Sequence, residues 1–205
     1  MPMDDMELTI DLRKSLNDQM DKTKKRNGLC HRGGYISDRF VKQLFTRDKL
    51  LHQLQLYLPT RSFQDRVELA EFIEDRARKI FAILVLIGKS HVIVDLQNSE
   101  PKLDDHSLFD ILDEDASSTQ CELKRLQDIP ELGDVADEVY KMQWVFPAML
   151  SSAVHFEFDP KFFKLPFKTQ AERIGSGAFG DVRRVMFEEG YLKGLDGHHE
   201  VSIAA

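Results

Sequence analysis

Glu172-Arg173-Ile174-Gly175-Ser176-Gly177-Ala178-Phe179-Gly180-Asp181-Val182 is the stretch that sets the fold class of this chain. Its glycines follow the G-x-G-x-x-G spacing, and β-branched Val182 stands two residues beyond the last of them. Glycine at such positions lets a tight turn take positive φ and lets bare backbone N–H groups approach phosphate oxygens. The flanking residues separate the uses of this spacing. A dinucleotide-binding unit has a strand before the glycines, a helix after them and an acidic residue about 20 positions on. Here the residues after Gly180 run Asp181-Val182-Arg183-Arg184-Val185-Met186-Phe187. Val182, Val185 and Phe187 favour a strand, with imperfect alternation, and no helical start signal follows. The expected order is strand, glycines, strand.

Residues 174–182 resemble the glycine-rich loop of eukaryotic protein kinases, with aliphatic Ile174 before the first glycine, Phe179 before the third and Val182 behind it. Carried over by position, the resemblance implies that Ile174 and Val182 press on the adenine of ATP. It implies that backbone N–H groups around Ser176, Gly177, Ala178 and Phe179 meet the phosphates, while Gly175, Gly177 and Gly180 keep that backbone bare. ATP, with Mg in a complete kinase domain, is the implied cofactor, and a serine/threonine protein substrate the implied acceptor. Residues Val201 to Ala205 resemble the third strand's approach to its lysine, which the family pattern places at about the next residue. No His-Arg-Asp or Asp-Phe-Gly triplet occurs, and His31-Arg32 is followed by Gly33-Gly34 upstream of the loop. The 205 residues therefore resemble a kinase cut inside its small lobe, lacking catalytic residues and expected to be inactive alone. The order of a helical segment, Gln143-Trp144, Leu165-Pro166-Phe167 and the glycine loop resembles fungal protein-kinase-domain proteins with a helical N-terminal extension. The rival reading is a noncatalytic helical interaction protein, its helical region binding a protein partner and its glycine hairpin a remnant.

Composition narrows the classes. Hydrophobic residues at 42% and charged residues at 31% fit a globular chain. A net charge of −7 argues against a nucleic-acid surface, and the basic run Lys22 to Arg26 reads as a solvated helix end. Cys30 and Cys121 lack ligand spacing, and Cys30-His31 has no second pair to complete a metal site. These features, with the acidic start Met1-Pro2-Met3-Asp4-Asp5, point to an intracellular setting, cytoplasmic or nuclear. Ile80 to Ile87 is continuously apolar, but a membrane span needs about 20 such residues, so this run is core.

In chain order, residues 5–25 read as a marginal amphipathic helix within a charged, partly flexible segment 1–34. A helical domain is expected over 35–145. Ser37 would cap one helix running to Tyr57 before Pro59, and a second would run from Asp65 or Arg66 to Ile87 with Gly88 as its stop. His91 to Asp95 reads equally as a short strand or a further helical turn. Asp104, Asp105, Asp110, Asp113, Glu114 and Asp115 lack the order of a calcium loop and read as a short helix with its carboxylates in water and Leu108, Ile111 and Leu112 inward. Leu132 to Trp144 gives another helical pattern. Gln143 to Met149 opens an aromatic extended connector, 146–166, and 167–205 would begin the kinase-like domain. Its aromatics, from Phe156 to Phe167, lack the basic groove that base stacking needs. The expected fold class is α+β: a mainly α N-terminal region followed by the first β-strands of a protein-kinase-like small lobe.

Overall fold

The computed structural model describes residues 3–26, 34–99, 103–106, 127, 133, 136–147, 150–151, 166, 168, 172–177, 180–188, 191–193 and 200–204. It is helix-rich with a few strands. The helices are α1 (Met3–Arg26), α2 (Asp38–Leu44), α3 (Arg47–Tyr57), α4 (Phe63–Arg76), α5 (Arg78–Ile87), α6 (Ile93–Asn98) and α7 (Ala136–Met142). The strands are β1 (Leu150–Ser151), β2 (Glu172–Gly177), β3 (Gly180–Met186), β4 (Leu192–Lys193) and β5 (Glu200–Ala204). The chain divides into two compact units. A helical unit comprises Met1–Asn17 and Asp38–Gln143, and a strand unit comprises Asp18–Ser37 and Trp144–Ala205. Residues 1–34 are thus shared between the units. Among the described residues, no helix is long and apolar enough to cross a membrane.

The helical unit is organised on α5, whose residues from Ile80 to Leu86 are all buried. Burial on every side explains why its sequence is apolar all round. Phe81 meets Phe45 edge-on, with ring centroids 5.3 Å apart and planes at 64°. The helix ends where the sequence predicts. Gly88 has φ +77°, its N–H donates to the Val85 carbonyl at 3.2 Å, and the Lys89 N–H donates to the Leu84 carbonyl at 2.7 Å. This is the Schellman pattern, which a left-handed glycine makes available. Gly88→Ala is expected to cost about 1–2 kcal/mol, because only the left-handed backbone and no steric contact opposes the new Cβ. The urea midpoint followed by far-ultraviolet dichroism checks this.

Two expected long helices are each broken. The helix expected over 37–57 is α2 and α3, separated at Phe45-Thr46, where Thr46 is extended at φ −81°, ψ 155°. The break places Phe45 fully in the core against Phe81. The helix expected over 65–87 starts earlier, at Phe63, because the Ser62 Oγ accepts from the Asp65 N–H at 3.1 Å. It also breaks at Ala77 (φ −135°, ψ 26°), which ends α4 and starts α5. The cause lies 28 residues away, as the Asp105 carboxylate accepts from the Lys79 and Ile80 N–H groups, both at 2.9 Å. Asp105 therefore caps α5 from a distance, and Asp104 beside it is buried and pairs with Arg76 at 2.6 Å. Both carboxylates were expected in water. Residues 107–126 of that acidic patch lie outside the described residues, as do Cys30, His31 and Cys121.

Elsewhere the ambiguities resolve toward helix. Ser90–Val92 is a 3₁₀ turn leading into α6, so His91 to Asp95 is not a strand. Gln143–Val145 is also a 3₁₀ turn, correcting the extended reading of the first three residues after α7. Most of the connector 146–166 lies outside the described residues.

The strand unit contains a three-stranded antiparallel sheet in the order β2-β3-β5, and a short parallel pair, β1 with β4. Its buried side chains include Tyr35, Ile36, Val145, Phe146, Val185, Phe187 and Tyr191. The Ile36 N–H donates to the Val145 carbonyl at 2.7 Å, tying two distant stretches of chain together within this unit.

Candidate functional site: the glycine hairpin

The glycine stretch folds as an antiparallel hairpin. Gly177 pairs with Gly180, Ser176 with Asp181 and Gly175 with Val182. On the far side of the bend Arg173 pairs with Arg183 and Glu172 with Arg184, so the register slips by one at Ile174. Two residues, Ile174 and Gly175, there oppose the single Val182, which is a β-bulge. The slip matters because strand side chains alternate between faces. Val185 on β3 and Phe187 just beyond it are buried, whereas Val182 (38% exposed) and Arg184 point to the open face. The bulge brings Ile174, 45% exposed, onto that same open face beside Val182. Among the residues whose side-chain exposure is described, these two and Phe63 are the exposed large hydrophobics. Glu172 and Arg184 also share the face, with charged atoms 3.8 Å apart; an exposed pair of this length contributes little.

The glycines act differently from the expectation. Among the described residues Gly88 alone has positive φ, so Gly175 sits in ordinary extended backbone. A Cβ at Gly175 would meet the Val182 Cβ at 3.9 Å, an ordinary contact. Packing therefore tolerates a side chain there, and the absence of one leaves space over the open face. Ala178 and Phe179, at the tip, lie outside the described residues.

The base of the hairpin is held on two sides. The Lys168 N–H donates to the Met186 carbonyl at 2.6 Å, and the Glu188 N–H donates to the Pro166 carbonyl at 2.8 Å. Pro166 and Lys168 thus each bond the chain at the end of β3, in the pattern of an antiparallel ladder. Glu188 also accepts from the buried Tyr35 hydroxyl at 2.8 Å. Tyr35 is fixed in turn: its N–H donates to Thr23 Oγ1 at 2.7 Å, and that hydroxyl lies 2.8 Å from the Tyr35 carbonyl. The neighbouring Gly34 lies against the backbone of Met20. The sequence marked Gly34 only as a breaker, and nothing local signals its partner. On the other side of β3, β5 pairs from Val182 with Ala204 to Met186 with Glu200.

The helical unit carries a separate open cleft of about 610 Å³ between α4 and α6, lined in part by Arg61, Asp65, Arg66, Glu68, Gln97 and Asn98. Arg66 is committed to structure there, donating to the Arg61 carbonyl at 2.7 Å. Among the described residues no cluster of His, Cys, Asp or Glu is placed to hold a metal ion. No family model matches the chain, nor does any curated protein or solved structure.

Proposed function

We infer that the glycine hairpin is the nucleotide-binding edge of a protein-kinase-like small lobe, probing ATP with its open face, and that this chain is the N-terminal part of a kinase of serine/threonine type. The observation that carries the reading is the bulge at Ile174, which sets exposed Ile174 and exposed Val182 side by side beside the bare Gly175. Two aliphatic side chains in water on one face of a hairpin suit a flat aromatic base. The empty position at Gly175 suits close approach of that base or its sugar. The antiparallel β2-β3-β5 order is compatible with the first three strands of such a lobe. Ile174 and Val182 would hold the adenine, and the backbone around Ser176 to Phe179 the phosphates. In phosphoryl transfer the protein contributes mainly positioning and charge stabilisation. The hairpin supplies the first of these only; the catalytic triplets are not among these 205 residues.

Calorimetric titration of the chain with ATP and magnesium tests this. Measurable binding is expected, weakened at least about tenfold by Gly177→Val, since a branched side chain in a phosphate-facing loop blocks backbone approach. Absence of heat from the unaltered chain, or equal affinity in the variant, overturns the reading.

A further inference from the structure

Where α2, α4 and α5 meet residues 103–106, the helical unit concentrates charge around a cavity of about 170 Å³. Asp38 and Lys42 face it from α2, Glu74, Asp75 and Arg76 from α4, and Arg78 and Lys79 from α5, with Asp105 closing it. Asp104 joins through Arg76. Three of the four cations are already engaged: Arg76 with Asp104 at 2.6 Å, Lys79 with Asp38 at 3.2 Å and Arg78 with Glu74 at 3.5 Å. Lys42 and Asp75 are exposed at the rim. Five carboxylates thus meet four cations, and with all of them ionised one negative charge is in excess. The excess falls on Asp105. It accepts two backbone N–H groups at 2.9 Å, while Arg76, Arg78 and Lys79 are each paired with another carboxylate. Each of its oxygens keeps a second lone pair, so a proton can be added without breaking either N–H bond.

We propose that this cluster is a proton-operated clasp, in which Asp105 takes up one proton under mildly acidic conditions and thereby holds residues 103–106 more firmly on the start of α5. Burial pushes the Asp105 carboxyl up to about 6, against the opposing pull of the Lys79 and Ile80 N–H groups and the Lys79 charge, with Asp38 adding to the rise. The folded chain then binds the proton more tightly than the unfolded chain, whose value is near 3.8. The stabilisation is fully present below that ordinary value and is lost as pH rises through about 6. Between pH 7.5 and 5.0 the Asp105 contribution should favour the folded state by about tenfold.

The test compares urea unfolding of the full chain and of Asp105→Asn at pH 7.5 and 5.0, together with a carboxyl-carbon NMR titration of Asp105. The expected result is an Asp105 inflection near pH 6 that survives His106→Gln, which removes the exposed neighbouring imidazole. The unfolding equilibrium of the parent should gain about tenfold on acidification relative to Asp105→Asn. An inflection at about 4 or below, or the same pH response in both proteins, overturns the proposal. If Asp105→Asn does not fold, the inflection of the parent protein alone decides.

Discussion

Gly34→Ala is expected to destabilise the strand unit by about 3 kcal/mol or more, at the upper end of what overpacking costs. The new Cβ would overlap the Met20 carbonyl oxygen and carbon and lie 2.7 Å from its Cα. These are backbone atoms within α1, so no side chain can rotate away and the two chain segments must part. Separation would disturb the Tyr35 N–H bond to Thr23 and, with it, the Tyr35 hydroxyl bond to Glu188 at the hairpin base. The single tryptophan, Trp144, belongs to the same unit and reports the transition by fluorescence in urea. A midpoint unchanged from that of the parent would show that Gly34 does not lie against Met20.

Phe81→Ala should have a comparable effect on the other unit, about 3–5 kcal/mol. Phe81 is fully buried in the helix on which that unit is built, and its ring is matched edge-on by Phe45. Truncation removes apolar burial and the ring–ring contact together, and leaves a hole between α2 and α5 that helices pinned at both ends cannot close. Global stabilities are about 5–15 kcal/mol, so such a loss brings the helical unit near its limit. Far-ultraviolet dichroism follows it, since most of the described helix lies in this unit. A loss below about 1 kcal/mol would mean that the site repacks, as volume-tolerant cores do.

The sequence made the helices legible and hid their breaks. Three-and-four spacing marks α4 and α5 clearly, yet Ala77, an excellent helix former, sits at the break between them. The cause is Asp105, which no window of local sequence connects to Lys79. The start of α4 was accessible, since Ser62 with Asp65 three residues later has the form of a capping signal. In the hairpin, the glycine spacing identified the strands on either side. The imperfect alternation of Val182, Val185 and Phe187 has a plain origin, because Val182 lies on the open face while the other two are buried. What the spacing could not supply was the slip at Ile174, a property of pairing between strands and not of either strand alone. Gly34 reads as a loop residue until the carbonyl of Met20 is seen beside it.

The division of the chain also sets an order of events during synthesis. Residues 18–37 belong with residues from Trp144 onward, and roughly a hundred residues of the helical unit are translated between them. At about 5–20 residues per second, Tyr35 and Ile36 wait on the order of ten seconds after emerging before Glu188 and Val145 exist to bond them. The intervening helices can bury α5 meanwhile, since its packing against α2, α4 and α7 uses residues that all precede 144. The strand unit is thus assembled last and from both ends, and nascent chains arrested before residue 144 would carry a formed helical core with Tyr35 still in water.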